Sequence, residues 1–237
     1  MAEAGGWKLH VMAGLSGLLI GGAAVAAYYG FRSPDRAATE AILRDYILDH
    51  GEILPEAMNR LEQRKASSAV TRHRAALETP FHSAWAGAVD GDVVLVEFFD
   101  YACGYCRTSN PDVERLLRED PRLKVVWREL PVLGPDSEAA ARVSLAAARQ
   151  GRFRQFHDSM FALGRPSPAV VDQAVARTGV TREEAPEIGA ELARNLQIAS
   201  AIGASGTPTF VVGDRVLQGA VGYEALRDAI AAARAAR

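Results

Sequence analysis

The sequence predicts an α/β protein in which a sheet domain is interrupted by a block of helices. The run Val93–Phe99 is almost wholly apolar, as expected of a strand buried on both faces, and Leu123–Leu130 predicts a second strand. The alanine-rich stretch 136–202 has helical character. Strand signals return at Thr209–Val212 and Arg215–Leu217, which flank a Gly-Asp pair that suits a two-residue hairpin turn. The predicted order is strand, helix, strand, helical block, hairpin and helix.

Capping signals predict where the helices begin and end. Cys106–Leu117 follows the first strand and contains Pro111, which should kink it, and Tyr223–Ala236 closes the chain. The helical block divides into four predicted helices. The first is capped by Ser137, runs to Gln150 and stops at Gly151, and the second is Arg152–Leu163. The third is Pro168–Thr178, which Gly179 ends, and the fourth begins at the capping-box pattern Thr181–Glu184 and runs to Ile202.

Composition and charge exclude several classes of protein. The chain has 237 residues, 49% of them hydrophobic, and a formal net charge of -2, which suits one globular domain with attachments. No basic tract stands out, so nothing supports binding to nucleic acid. Cys103 and Cys106 are the only cysteines, and two are too few for a structural disulfide framework.

The N-terminal segment, residues 1–32, predicts export. Leu9–Phe31 contains no Asp, Glu, Lys or Arg, and as a helix it is long enough to cross a bilayer core. Tyr28 and Tyr29 occupy an interfacial position, which favours an uncleaved transmembrane anchor. The alternative is a cleaved signal peptide, with Ala24-Val25-Ala26 as its small-residue site. Both interpretations export the rest of the chain.

Residues 35–79 predict a helical stalk or linker. Asp35–His50 predicts an amphipathic helix, and a second helix has Pro55 in its first turn. The apolar side of the first helix carries Ile42, Leu43, Tyr46 and Ile47. Glu62–Thr79 is strongly charged, which predicts a solvated helix or linker. Such short helices either fold onto the main domain or meet copies of themselves in an oligomer, and the sequence leaves both possibilities open.

Cys103 and Cys106 lie at the predicted junction between a buried strand and a helix. The thiolate is the nucleophile in thiol–disulfide exchange. At a helix N-terminus, Cys103 would meet unpaired backbone N–H groups and the positive end of the helix dipole, and both favour a charged sulfur. Cys106, one turn further, would be more buried and would act as the resolving thiol. Half of a zinc site is the alternative, but the five histidines show no paired ligand spacing.

Two further features are compatible with a redox site. Gly206–Phe210 places Pro208 just before a strand, where a cis peptide bond is often kept, although an ordinary trans turn is commoner. A turn beside the dithiol would expose the backbone of Thr207 as an edge for an unfolded substrate chain. Glu97 is a carboxylate in an apolar strand. It either points outward or is buried with a task, such as accepting a proton from Cys106.

From Phe81 to the C-terminus, the sequence resembles the DsbA-like branch of the thioredoxin superfamily. The matching signatures are EFFDYACGYC at Glu97–Cys106 and GTPTF at Gly206–Phe210. The resemblance implies a thioredoxin fold over residues 81–237, with a helical-domain insert at about 136–202.

The same resemblance implies a role for each residue of the site. Cys103 would be the nucleophile and Cys106 the resolving thiol. Pro208 would be in cis beside them, preceded by Thr207, and Glu97 would be a buried proton acceptor. The redox-active Cys103–Cys106 disulfide would be the only redox group, with no bound cofactor and no metal.

The stalk carries a resemblance of its own. Asp35–Arg64 is similar to the N-terminal helical segment of the ScsC (suppressor of copper sensitivity) proteins. In that group the segment can serve as an oligomerising stalk, which implies a possible homo-oligomer here.

The residues between the cysteines depart from DsbA. DsbA carries a histidine where Tyr105 stands, whereas Gly104, Tyr105 and the threonine before Pro208 are similar to the periplasmic isomerase DsbC. The missing positive charge should leave the disulfide less oxidising. This difference favours isomerase or reductase activity over strong oxidase activity.

Together these observations predict an exported thiol–disulfide oxidoreductase of isomerase or oxidase type. Its expected place is the periplasmic face of a bacterial inner membrane, or the soluble periplasm after signal cleavage. Its expected partners are unfolded or misfolded cysteine-containing proteins and a membrane redox partner. The alternative is a non-catalytic binding module, a holdase or a copper-handling protein in which the two thiolates hold Cu(I).

Overall fold

Five strands form one sheet in the computed structural model, which describes residue 25 and residues 36–236. The strands are β1 (Trp85–Gly87), β2 (Val93–Phe99), β3 (Leu123–Glu129), β4 (Thr209–Val212) and β5 (Arg215–Gln218). The helices from residue 36 onward are α1 (Arg36–Asp49), α2 (Ile53–Glu78), α3 (Gly104–Glu119), α4 (Pro135–Arg149), α5 (Phe153–Leu163), α6 (Pro168–Thr178), α7 (Pro186–Ala201) and α8 (Tyr223–Ala235).

The sheet is mixed, with the strand order β1-β3-β2-β4-β5. The central strands β2 and β3 run parallel, and every other neighbouring pair is antiparallel. Helices α4–α7 fall between β3 and β4 in the chain, at the position of the predicted insert. The thioredoxin-like α/β fold is therefore confirmed, with α3 linking the two parallel strands as a crossover requires.

Both faces of the central strands are covered by helices, which explains why β2 lacks an alternating pattern. On one face, Leu95 and Phe99 belong to a core that includes residues of α3, α5 and α8. On the other face, Val96 and Phe98 belong to a second core with residues of α2 and α7. The end of β2 is thereby enclosed on both sides, and the chain leaves it directly into the turn before α3.

The second half of α2 packs against the sheet, which corrects the prediction of a solvated helix or linker over Glu62–Thr79. Ala69, Val70 and Leu77 are each only 1% exposed and join the core on the α2 and α7 face. The buried side of this segment consists largely of the small residues Ala and Val. Because it carries few large apolar side chains among many charged ones, the sequence did not reveal it.

The chain divides into two units, Met1–Asn59 and Arg60–Arg237. In the first unit, α1 is a helix as predicted, and none of its residues is buried. Its large apolar side chains are exposed: Ile42, Leu43, Tyr46, Ile47 and Leu48. A helix of this kind gains little from packing within its own unit.

Two helix starts differ from the predicted ones for the same physical reason. Gly134, not Ser137, is the N-cap of α4, and Ser137 lies buried inside the helix. Likewise α7 begins at Pro186 rather than at the capping-box pattern Thr181–Glu184. In both helices a proline occupies the first turn, where its fixed φ and missing N–H suit a helix start. The short strand β1 was not predicted from the sequence.

A buried arginine ties α2 and α7 to the sheet. The Arg128 side chain, on β3, is 2% exposed and donates through Nη1 to Glu191 Oε1 at 2.9 Å and to Asn195 Oδ1 at 2.8 Å. Its other donors bind carbonyl oxygens at the C-terminal end of α2: Leu77 at 3.0 Å, Thr79 at 2.6 Å and Ala76. All five N–H donors of the guanidinium can be satisfied in this way, which offsets the cost of burying its charge.

Within the residues that the structure describes, no helix has the length and apolar character needed to cross a membrane. The predicted span Leu9–Phe31 lies outside the described residues, apart from Val25.

Replacing Arg128 with methionine should destabilise the domain strongly. The change leaves Glu191 buried with only the exposed Arg194, at 3.5 Å, as a counter-charge, and it removes the donors from the end of α2. We therefore expect a loss of about 3–5 kcal/mol in the free energy of unfolding. Urea unfolding measures the effect. The matched control is Arg142→Met on α4, whose exposed pair with Glu138 should change stability by about 0.5 kcal/mol or less. Equal effects for the two variants would contradict the role given to Arg128.

Candidate active site

Cys103 is the N-cap residue of α3, which begins at Gly104, two residues before the predicted start at Cys106. Its backbone is extended, with φ −81° and ψ 117°, so the chain turns from the β2 end into the helix at this residue. Cys103 therefore lies at the positive end of the helix dipole, and its sulfur accepts no hydrogen bond from the first N–H groups of α3. Cys106 follows one turn later and is fully buried, whereas 7% of Cys103 is exposed. The more accessible sulfur is thus the one at the helix start, and both cysteines are free thiols.

The turn before β4 lies directly against the dithiol. The Thr207–Pro208 peptide bond is cis, which confirms the prediction for Pro208. Cys103 Sγ donates to the carbonyl oxygen of Thr207 at 3.1 Å, across a separation of 104 residues. Sequence spacing alone could not establish this contact, because it depends on β4 pairing with β2 in the sheet. Thr207 is half-buried and Pro208 is buried.

A buried carboxylate fixes the loop that presents Cys103. Asp100 is 1% exposed, and its Oδ1 accepts a hydrogen bond from the Ala102 N–H at 2.8 Å. Its Oδ2 accepts from the N–H groups of Val132 and Leu133 at 2.9 and 3.0 Å. These three bonds join the loop after β2 to the loop after β3, so the two loops hold each other in place beside the helix start. Asp100 was not predicted as a site residue, although an Asp whose side chain binds the backbone two residues further on is a common turn signal.

Glu97 points inward and is fully buried, which settles the question that strand alternation left open. Its Oε2 accepts a hydrogen bond from the indole N–H of Trp127 at 3.0 Å, and its Oε1 has no hydrogen-bond partner within the described part of the chain. Burial, reinforced by the negative charge of Glu114, raises the pKa of Glu97 from its ordinary value of 4.5 to about 8, while the Trp127 bond opposes that rise.

The same surroundings keep the Cys106 thiol protonated. Burial raises the pKa of Cys106 far above its ordinary value, and the nearby charge of Glu97 raises it further. Glu97 is therefore close enough to Cys106 for its charge to affect the protonation of the thiol. A proton leaving Cys106 needs an acceptor inside the protein, and Glu97 is a buried carboxylate with one oxygen unoccupied.

Exposed apolar side chains surround the approach to Cys103. Tyr105, between the two cysteines, is 70% exposed, and Val132 and Leu133 are about half exposed on the loop tied to Asp100. An apolar rim around a reactive group is a feature of binding surfaces rather than of ordinary solvated loops.

Across residue 25 and residues 36–236, no three His, Cys, Asp or Glu side chains come together in a group able to hold a metal ion. His157, one of the five histidines, lies in an aromatic cluster whose ring centroids include Phe99 at 4.9 Å and Trp127 at 5.3 Å. Burial, with a contribution from the charge of Arg154, holds the pKa of His157 well below its usual value, so it is a neutral packing residue.

The fold and the dithiol place the chain among known thioredoxin-like proteins. The model of the DSBA-like thioredoxin domain family matches residues 94–231, and the chain belongs to that family. A second family model, described as the copper resistance protein ScsC N-terminal domain, matches residues 35–67. Both resemblances stated from the sequence are confirmed.

Solved structures show the same relationship. A linker-deletion mutant of Proteus mirabilis ScsC is 27% identical, with a TM-score of 0.73, over 87% of this chain and 98% of that one. A thioredoxin-like oxidoreductase from Silicibacter pomeroyi is 38% identical, with a TM-score of 0.62, over 65% of this chain and 92% of that one. Such neighbours support a thiol–disulfide oxidoreductase of the DsbA-like class.

Curated relatives include a much longer protein. The Na(+)/H(+) antiporter NhaA 1 of Salinispora arenicola is 32% identical over 156 residues, which are 62% of this chain and 24% of that protein. The chain thus spans about a quarter of the length of the curated relatives it matches.

The raised pKa of Glu97 makes stability depend on pH. The folded state binds this proton more tightly than the unfolded state, so the stabilisation is complete below about pH 4.5 and is lost as the pH rises to about 8. We expect the difference in unfolding free energy between the wild type and Glu97→Gln to shift by about 4 kcal/mol against the wild type across this window.

Urea unfolding of the reduced protein at pH values from 4.5 to 8.5 measures the difference. Glu138→Gln, at an exposed glutamate of α4, is the matched control and should follow the wild type at every pH. A constant difference between wild type and Glu97→Gln would contradict the buried, protonated state of Glu97.

Proposed function

We propose that this protein is an exported thiol–disulfide oxidoreductase that exchanges disulfides with cysteine-containing proteins through Cys103 and Cys106. The observation that carries the proposal is the 3.1 Å contact between Cys103 Sγ at the start of α3 and the carbonyl oxygen of Thr207, with Cys106 buried one turn behind. This contact supports the proposal because it brings together the more exposed cysteine, the buried cysteine and the backbone of Thr207, which could serve as a nucleophile, a resolving thiol and an edge for a client chain.

In the proposed reaction, the Cys103 thiolate attacks one sulfur of a client disulfide. The client S–S bond breaks, a Cys103–client disulfide forms, and one client thiolate leaves. The Cys106 thiolate then attacks Cys103, which forms the Cys103–Cys106 disulfide and releases the second client thiolate. The client gains two electrons and the dithiol loses two. Oxidation of a client follows the same steps in reverse.

Glu97 is the proposed acceptor of the proton from Cys106. A fully buried thiol is a poor nucleophile until it is deprotonated, and water has little access to it. Glu97 is equally buried, has one free oxygen, and has a pKa near 8, so a useful fraction of it is ionised at neutral pH. Glu97 can therefore accept the proton from Cys106 without a path through solvent.

The proposed clients are unfolded or misfolded proteins with exposed cysteines. The apolar rim of Tyr105, Val132 and Leu133 suits the apolar side chains that such proteins expose, and the Thr207 backbone offers hydrogen bonds to an extended segment. The absence of a charged residue between Cys103 and Cys106 favours isomerase or reductase activity over strong oxidase activity, because no cation there stabilises the reduced thiolate. A membrane redox partner would reset the dithiol.

The proposed location is the periplasmic face of a bacterial inner membrane, with the soluble periplasm as the alternative. It is supported by the uncharged apolar stretch Leu9–Phe31 and by the match of residues 35–67 to a domain of an ScsC protein.

Substitution of each cysteine should give a different defect. Cys103→Ala should abolish disulfide exchange, because the accessible nucleophile is lost. Cys106→Ala should still attack clients but should accumulate a mixed disulfide, since nothing resolves it. Rapid acid quenching followed by non-reducing electrophoresis with a scrambled-disulfide client measures both, in a soluble form that begins after Phe31. Exchange that survives in Cys103→Ala would disprove the mechanism.

We further propose that α1 joins copies of this chain through its apolar face. Four large apolar side chains on one side of α1 are exposed (Ile42, Leu43, Tyr46 and Ile47), and no residue of the helix is buried. Self-association would cover this face and would bring several dithiols to one client, as isomerisation requires. The match of residues 35–67 to the ScsC N-terminal domain is consistent with the proposal.

Charges on that face should dissociate the oligomer. In the soluble form, Leu43→Asp combined with Ile47→Asp places two carboxylates one turn apart where apolar contacts are needed, so we expect monomers. Arg44→Asp changes the net charge by the same amount and is the control, expected to behave as the wild type. Sedimentation velocity separates the states. A monomeric wild type would refute the proposed association.

A further inference from the structure

The group that donates a hydrogen bond to the Glu97 carboxyl group is an indole N–H rather than a cationic side chain. Trp127 lies opposite Glu97 in the register of the parallel strands β2 and β3, and both side chains are buried on the α3 face of the sheet. The indole N–H of Trp127 donates a hydrogen bond to Glu97 Oε2 at 3.0 Å. Because that oxygen is occupied, Oε1 is the oxygen left to take up a proton.

The indole is itself held in a fixed position. The ring centroids of Phe153 and His157 lie 5.7 and 5.3 Å from that of Trp127. The guanidinium carbon of Arg154 lies 4.6 Å from the ring centroid, and Arg154 Nη2 donates to Glu114 Oε1 at 2.7 Å. A cation over an indole face is a favourable arrangement, so Arg154 helps to keep the ring in one orientation.

The charged and titratable groups around this site come from three elements. They are Cys106 and Glu114 on α3, Arg154, His157 and Asp158 on α5, and Glu129 on β3. Of these, Cys106 is the thiol that Glu97 would serve, His157 is neutral, and Glu114 and Asp158 are both paired with Arg154. Burial raises the pKa of Glu129 well above its usual value. The Trp127 hydrogen bond is thus the direct contact that favours the ionised form of Glu97.

We propose that Trp127 is a positioning residue for the exchange reaction: its indole N–H, supported by Arg154 over the ring, orients the Glu97 carboxyl group behind Cys106 and sets how readily that group releases its proton. The inference rests on the proposed function. The transferred proton moves from the Cys106 thiol to Glu97 Oε1, and the Cys106 thiolate then attacks the Cys103 sulfur of the mixed disulfide.

The substitution Trp127→Phe tests the proposal because it keeps an aromatic ring in the core and removes the N–H donor. Loss of a hydrogen bond to a charged acceptor should raise the pKa of Glu97 by about one unit. Carbon-13 NMR of labelled glutamate carboxyl groups in the reduced full chain measures this value directly. Trp85→Phe is the matched control, because Trp85 also lies beneath a cation, Lys124, but belongs to the core on the other face of the sheet.

The reaction supplies a second measurement. The pH profile of the resolving step in single-turnover exchange should move upward by about one unit in Trp127→Phe, which lowers the rate at pH 7 up to about tenfold. The shift should disappear when Glu97→Gln is already present. A merely structural loss would lower the rate at every pH and would leave the profile in place.

The wild type supplies a test that needs no substitution in the core. The indole N–H resonance of Trp127 should titrate with the same midpoint as the Glu97 carboxyl carbon and should stop titrating in Glu97→Gln. A Glu97 pKa that is unchanged in Trp127→Phe, or an indole resonance that ignores the titration of Glu97, would overturn the inference. Both NMR readouts are independent of turnover, so a wild type without exchange activity would refute the proposed function and leave this inference to be judged by the NMR data.

Discussion

The three hydrogen bonds accepted by Asp100 are the constraint on which the site depends. They join the loop that follows β2 to the loop that follows β3, and both loops border the start of α3. Cys103 can serve as a helix cap that faces Thr207 only if this turn keeps one shape. A carboxylate suits the position because it accepts several bonds at once and is strongly bound by backbone N–H groups. Cys103 is therefore positioned by backbone geometry rather than by a neighbouring base.

Polar groups buried on the two faces of the sheet have different consequences. Arg128 satisfies its donors with carbonyl and side-chain oxygens, so it joins α2 and α7 to β3 and remains charged. Glu97, on the opposite face, has one bond from a neutral donor and keeps an oxygen unoccupied. A group left incompletely satisfied costs stability, and its protonation responds to its surroundings. The structure thus contains the permanently charged Arg128, which stabilises the fold, and Glu97 near the dithiol, whose charge depends on pH.

Much of the fold could be predicted because a strand that is buried on both faces has an almost wholly apolar sequence. The bounds of β2, β4 and α6 are the predicted ones, and the predicted insert has its place between β3 and β4. The errors fell where the pattern is weak or where two signals compete. Proline at a first helical turn prevailed over hydroxyl caps, and the small side chains of Ala69 and Val70 concealed the buried side of α2.

The sequence by itself determined the dithiol, its position at a strand–helix junction and the proline before β4, because spacing and residue type are local properties. Tertiary structure alone decided that Cys103 meets Thr207, that Glu97 points inward and that its partner is Trp127. Each of these facts depends on which strands lie side by side and in what register, and the pairing of distant strands is set by the packing of the whole core.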